Sequence, residues 1–177
     1  RSVAWLVPEM ALSKHFAERL RRTFGDCVTL YHSGLSDRQR AQIVWSMAHS
    51  DMPRLVVGVR TAVLLPTPNI GLVIVDEEYD PSYKQTDTAP RYSARDCAVM
   101  LASLHGAKTI LSAATPSMES YANALAGKYA HVTVEERYDG EPAEVIISDT
   151  RRSARRGERH GFMNLELRQA LDAVLSE

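Results

Sequence analysis

Cysteine is scarce in this chain of 177 residues: Cys27 and Cys97 are the two present, far apart and without Cys-x-x-Cys spacing. That scarcity argues against a disulfide scaffold and against a cysteine-based zinc site. Aromatic residues make up 7%, and glycine and proline number nine and eight, too few for a low-complexity or collagen-like chain. Long hydrophobic runs are missing too, and nothing approaches the roughly 20 residues that a membrane span needs. The apolar stretch at 3–7 is far too short for a signal-peptide core. Neither sign of charge dominates, with 21 Lys and Arg against 22 Asp and Glu. A hydrophobic content of 45% still supplies a core and excludes disorder. What remains is the expectation of about one soluble, intracellular domain's worth of chain.

A phosphate-cradling loop is also lacking. Such a loop is a glycine-rich turn ending in Gly-Lys-Ser/Thr and leading into a helix. Around Gly106-Ala107-Lys108-Thr109 the two glycine positions hold Ala102 and Ala107, and the segment opens a strand. Gly127-Lys128-Tyr129 fails as well.

The charge that is present is unevenly spread. Residues 1–150 hold 15 basic and 18 acidic side chains, whereas 151–160 hold five arginines and one glutamate. Near-neutrality therefore says little against nucleic acid as a partner, because binding depends on local patches.

Short apolar runs alternate with longer amphipathic stretches. Strands are expected at 3–7, 28–31, 55–59, 72–75, 108–111 and 132–134, mostly as continuous apolar runs that suit a sheet covered on both faces. Helices are expected at 11–24, 37–48, 93–104 and 117–125. Ser36 is a good N-cap for the second, with Gln39 three positions on. Strand–helix–strand repetition implies right-handed crossovers and a mostly parallel sheet. Two stretches break the rhythm. Residues 79–92 form a long polar and aromatic loop, of the kind that is usually functional or disordered. Residues 151–161, rich in Arg and Gly, read as a linker. A last amphipathic helix with Leu165, Leu167, Leu171, Val174 and Leu175 follows the N-cap candidate Asn164.

Chemistry is expected where strands end. The most apolar strand stops abruptly at Asp76-Glu77, which puts two carboxylates at the carboxyl edge of a parallel sheet, where open α/β sheets bind ligands. That pair suits a nucleoside-triphosphate site: Asp76 holding Mg²⁺ through water, Glu77 orienting and deprotonating the attacking water. The alternative is that the acids merely favour the start of the next segment. One crossover later, Ser112-Ala113-Ala114-Thr115-Pro116-Ser117 ends a strand and can bring Ser112 and Thr115 beside those acids. Arg60 and Thr61 follow Gly58 at another strand end, where they could meet nucleic-acid phosphates; a solvated Arg60 is the equal alternative. His32 is expected as a hydrogen-bonded loop residue, and His15, His49, His105, His131 and His160 as surface residues. In the long loop Tyr79, Tyr83 and Tyr92 interleave with Lys84, Arg91 and Arg95. Aromatics that stack on bases beside cations that neutralise phosphates suit single-stranded nucleic acid, whereas tyrosines simply packed on the domain are the commoner outcome.

Taken in order, the segments 8–13, 32–36, 57–62, 76–79, 81–85, 90–96 and 112–120 resemble the PriA family of primosomal replication-restart DNA helicases, in superfamily 2. The resemblance implies a RecA-like, three-layer α/β fold with a mostly parallel sheet, namely the first helicase lobe without its N-terminal phosphate-loop segment. It implies a 3′→5′ ATP-dependent DNA helicase acting at stalled or repaired forks. Asp76 and Glu77 then match the catalytic Mg²⁺ and general-base positions. Tyr79, Ser112, Ala114 and Thr115 match positions that couple ATP to DNA. Pro8, Glu9, Arg60, Thr61, Tyr83, Lys84, Arg91, Tyr92 and Arg95 match DNA-facing positions. Tyr79 stands where the family usually has His, and tyrosine carries no charge near neutral pH.

The same resemblance divides the chain into lobe-one sequence at 1–150, a basic linker at 151–162 and the first helix of the second lobe at 163–177. It puts the phosphate loop ahead of residue 1 and the family's zinc-binding cysteines beyond residue 177. ATP and Mg²⁺ are the implied cofactors, with zinc elsewhere in the full-length protein. The implied partners are forked and single-stranded DNA, other primosome proteins and single-strand-binding protein, with no membrane. The implied location is the bacterial cytoplasm, at the nucleoid. The rival readings are another superfamily 2 nucleic-acid translocase, or a non-enzymatic α/β module with an acidic Mg²⁺ or ligand pocket.

Overall fold

The computed structural model describes residues 1–135, 145–158 and 161–176. Residues 136–144 of the stretch assigned to lobe one therefore lie outside the described residues. So do Arg159 and His160 of the basic stretch, and Glu177. Residues 1–131 form one unit and 132–177 another.

The first unit runs β1 (Ser2–Leu6), α1 (Lys14–Phe24), β2 (Val28–Tyr31), α2 (Asp37–Ala48), β3 (Leu55–Gly58), β4 (Ile70–Val75), β5 (Lys84–Gln85), β6 (Tyr92–Ser93), α3 (Ala94–Leu104), β7 (Lys108–Leu111) and α4 (Met118–Leu125). Five strands make one sheet in the order β2-β3-β1-β4-β7, and every pairing in it is parallel. Trp5 of the central strand sits between Val57 and Ile74 in register. Parallel pairing of consecutive strands needs crossovers, and these cover both faces. Leu12, Phe16 and Leu20 of the α1 segment pack on Val3, Trp5, Val7, Leu55 and Val57, with Phe16 edge-on to Trp5 at 5.7 Å. On the opposite face Ile43 and Met47 of α2 and Ala94, Ala98 and Ala102 of α3 meet Ala4, Leu6, Val56, Val73 and Val75. Alternate residues of one strand thus face different helices, as the two-residue period of a strand requires. The result is the RecA-like three-layer arrangement that the resemblance implies.

Local chemistry sets the helix starts. Ser36 accepts from the Gln39 backbone N–H while the Gln39 side chain accepts from the Ser36 N–H, the reciprocal capping box its sequence spells out. Ser13, Ser93 and Ser117 cap α1, α3 and α4. Residues 9–11 form a short 3-10 turn, so α1 begins at Lys14 rather than at residue 11. At the end of β3 a Cβ on Gly58 would strike the Tyr31 carbonyl oxygen and come within 2.6 Å of the Ala62 Cβ. Glycine there lets the chain turn straight into the 3-10 segment Arg60–Leu64.

Three expectations need correcting. Residues 132–134 are not a strand: Val132 and Val134 are 80% and 83% exposed, and β-branched residues form strands only where a neighbour pairs with them. The basic stretch is not all linker, because Thr150–Arg155 form a helix, α5, whose N-cap Asp149 accepts from the N–H groups of Arg151 and Arg152. The long loop is not structureless either. Asp80 caps a 3-10 turn at Pro81–Tyr83, and β5 pairs antiparallel with β6. In the second unit α6 (Leu165–Leu175) is capped by Asn164, which also donates to Ser148 Oγ at 2.6 Å.

Candidate functional site

Because all five strands run parallel, their carboxyl ends open along one edge, each contributing a short segment to it. β1 and β4 are neighbours, yet α1 carries the chain from β1 toward β2 while α3 carries it from β4 toward β7. A crevice forms where outgoing connections diverge in this way. Pro8 and Glu9 stand on one side of it, Asp76 and Glu77 on the other.

On the acidic side, the Asp76 N–H donates to Leu6 O at 2.9 Å, which extends the β1–β4 ladder. Ser112 Oγ donates to Asp76 Oδ1 at 2.7 Å; the other carboxylate oxygen has no protein partner among the described residues. Glu77 adopts a left-handed backbone, φ 47°, a conformation that costs a non-glycine residue and is typically retained at functional positions. Its Oε2 is shielded from solvent and has no hydrogen-bond partner among the described residues. Neighbouring Tyr79 is half exposed, and the Glu77 charge is the main influence pushing its phenol above the ordinary value. Thr115 and Ala114 are exposed, so of the hydroxyl segment it is Ser112 that reaches the acids.

Glu78 turns the other way and is 3% exposed. Its Oε1 accepts from the Ser117 N–H at 2.5 Å. Its Oε2 accepts from the Ser117 and Ser120 hydroxyls at 3.0 Å and from Arg95 Nη1 at 3.1 Å. Burial pushes this carboxyl up, but the bonds from Ser117, Arg95 and Ser120 outweigh it and hold it below the usual carboxylate range. Arg95 also bonds Asp96 at 2.8 Å. Burial pulls its guanidinium down, and the Asp96 and Glu78 carboxylates more than restore it.

On the other side of the crevice Glu9, Tyr31, His32, Arg40, Arg60 and Thr61 line a cleft of about 420 Å³. Arg60 donates to the carbonyls of Ser82 at 3.4 Å and Lys84 at 3.1 Å. Arg40 donates to Ser33 O at 2.6 Å, and Ser33 Oγ donates to Glu9 at 2.6 Å. The Nε atoms of both arginines are shielded from solvent and lack a hydrogen-bond partner among the described residues. Buried donors without partners are rare and mark places where water or a ligand belongs. Sequence reading missed Arg40, because it sits on α2 and only the position of that helix over the β2 edge brings it to the cleft. It treated His32 as an ordinary loop residue.

The segment after β4 joins the two sides. Tyr83 is buried, 1% exposed, and its hydroxyl donates to Asp76 O at 2.6 Å. Burial, aided by the charges of Asp76, Asp80 and Glu77, pushes its phenol far up, so it remains a donor. Tyr92 is half-buried; burial raises its phenol and the Arg60 charge opposes the shift. Lys84 and Arg91 are exposed, and Pro8 is buried. The edge thus gathers Glu9, Arg60 and Thr61 at the cleft, with the Lys84 carbonyl held by Arg60, and Asp76, Glu77, Tyr79 and Ser112 around the acids. Tyr83 and Arg95 are buried, at 1% and 9% exposed. Among the described residues no three His, Cys, Asp or Glu side chains cluster as a metal site, and no helix is long and apolar enough to cross a membrane.

No protein-family model matches the chain. Relatives do. It is 46% identical over 129 residues to the replication restart protein PriA of Chlamydia pneumoniae, covering 73% of this chain and 17% of that protein. It is 37% identical over 173 residues to the replication restart protein PriA of Bacillus subtilis, covering 97% and 21%. With the protein of that name from Helicobacter pylori strain 26695 it is 37% identical over 177 residues, covering 100% and 26%. The chain spans about a fifth of the length of these curated relatives.

Proposed function

The chain belongs to the replication restart protein PriA family, and on that premise we propose that it supplies part of an ATP-driven 3′→5′ DNA helicase core acting at stalled or repaired replication forks. The observation that carries this reading is the acidic pair at the end of β4. Glu77 is held in a left-handed conformation with a buried, partnerless carboxylate oxygen. Beside it Asp76 is gripped by Ser112 on one oxygen alone. That donor set fits a magnesium nucleotide. Mg²⁺ keeps several waters and is held by one or two carboxylates plus phosphate oxygens, which one free Asp76 oxygen satisfies without a larger cluster of acids. When bound, Mg²⁺ and ATP would supply the transferable phosphoryl group and neutralise its developing charge.

The chain's own residues take the remaining roles. Ser112 fixes the Asp76 carboxylate, and Glu77 takes a proton from the attacking water. Arg60 and Arg40, which line the cleft, and the exposed Lys84 present cationic groups to a DNA backbone; such contacts position a strand without reading its sequence. Tyr79, Arg91 and Tyr92 are the loop residues left to face single-stranded DNA. Primosome proteins and single-strand-binding protein are proposed partners on the family's account.

The test is Glu77→Gln in the full-length protein carrying this segment. ATP binding should persist, and DNA-stimulated hydrolysis should fall by about 10²-fold or more, the scale of a lost general base. Stimulated hydrolysis surviving in that variant would remove the assignment.

A further inference from the structure

We propose that Glu9 is an opposing charge built into the cleft: its carboxylate faces the strand that Arg40 and Arg60 hold, and so limits how tightly the cleft grips a nucleic-acid backbone. This rests on the proposed role of the cleft in binding DNA.

Glu9 is not a loose surface acid. It follows the buried Pro8 and opens the 3-10 turn Glu9–Ala11, closed by the Ala11 N–H on Pro8 O at 2.9 Å. Just ahead of it the Val7 N–H donates to Gly58 O at 3.0 Å. That bond sets the end of β1 against the end of β3, where Arg60 and Thr61 follow. The side chain is fixed as well, since Ser33 Oγ donates to Glu9 Oε1 at 2.6 Å. The Ser33 carbonyl accepts from Arg40 Nη2, so one residue holds the acid by its hydroxyl and the cation by its backbone.

The acid nevertheless stays apart from the cations it adjoins. A carboxylate beside guanidiniums gains strong, charge-assisted bonds by pairing with them. Arg40 turns instead to Ser33 O and, at 3.9 Å, to Asp37, and Arg60 to the carbonyls of Ser82 and Lys84. Among the described residues neither pairs with Glu9. The cleft thus sets one anion beside two cations that it does not neutralise. A space of about 420 Å³ cannot put a bound phosphate much beyond the screening length, about 10 Å at 0.1 M salt, so repulsion from Glu9 reaches it. Phosphate contacts supply much of the affinity for a strand, and a strand that is to be advanced must also be released. One like charge at the grip lowers affinity without removing a contact.

The experiment measures the dissociation constant of the full-length protein for a fluorescent single-stranded oligonucleotide, by anisotropy, across a salt series. Glu9→Gln keeps the shape and still accepts from Ser33 while losing the charge. It should bind about three- to tenfold more tightly at low salt, the scale of one charge pair near a protein surface, and the gain should narrow as salt rises. Glu9→Asp keeps the charge and should stay within about twofold of wild type. An unchanged affinity in Glu9→Gln, a gain that ignores salt, or an equal gain in Glu9→Asp overturns the inference. Weaker binding by Glu9→Gln overturns it too, and would make Glu9 a support for Ser33 and Arg40. Arg40→Gln and Arg60→Gln should each weaken binding; if neither does, the cleft does not hold DNA, and that part of the proposed function falls together with the inference.

Discussion

Glu78 places one negative charge in the interior, where an unpaired carboxylate would neutralise itself rather than stay ionised. Four donors reverse that preference and hold the carboxyl below its ordinary value. A group whose folded-state pKa is depressed adds stability above the unfolded value, about 4.3 for glutamate. That contribution disappears as pH falls through the folded value. Wild type should therefore exceed Glu78→Gln in urea midpoint at pH 7, and the gap should narrow steadily on acidification below about pH 4. A gap that ignores pH would mean that the charge is not what the site uses. In the sequence Glu78 is merely the third acid of a run, and nothing distinguishes it from Glu77. Burial separates them: one side chain turns to the Ser117 N-cap, while the other keeps an unpaired oxygen.

At the scale of elements, the 79–92 segment is where composition and geometry diverge most. Interleaved tyrosines and cations suit a strand of DNA, yet the aromatic with the deepest burial, Tyr83, closes the core under the β4 end and bonds Asp76 O. Composition cannot tell a stacking tyrosine from a packed one, because both need the same flat, amphipathic ring. Thermal or urea unfolding separates them. Tyr83→Phe should cost about 1 kcal/mol, one hydrogen bond, and Tyr83→Ala about 3–5 kcal/mol, the penalty of emptying an aromatic site. A surface tyrosine lost to alanine would leave stability within about 0.5 kcal/mol, and that outcome would return Tyr83 to the DNA face. Elsewhere the elements were legible wherever a cap sits beside a periodic run, as with Ser36 and Gln39. The expectation failed at 132–134, where β-propensity had no neighbouring strand to satisfy it, and at Thr150–Arg155, where the Asp149 cap was overlooked beside so many arginines.

For the whole molecule, sheet order matters more than any motif. The order β2-β3-β1-β4-β7 separates the basic cleft from the acidic pair, and the chain after β4 spans the gap, tied to Asp76 by Tyr83 and to Arg60 through the Ser82 and Lys84 carbonyls. On the proposed function, one side of the crevice senses a strand while the other handles a phosphate. No Gly-Lys-Ser/Thr loop occurs among the 177 residues, so this chain by itself should hydrolyse no ATP above the buffer rate in a phosphate-release assay. The full-length protein should hydrolyse ATP under the same conditions. Turnover by the isolated chain would show that these residues hold phosphate by some other means.

By itself the sequence determined the parallel α/β class, the acidic pair at a strand end and the hydroxyl turn one crossover later. These depend on apolar runs, caps and spacing, all of them local along the chain. Only the tertiary structure decided that Ser112 grips Asp76, that Arg40 joins Arg60 at one cleft, and that Tyr83 and Arg95 face inward. Those outcomes depend on which strand lies beside which, and hence on contacts between residues dozens of positions apart. Local pattern carries no information about such partners until the sheet has assembled.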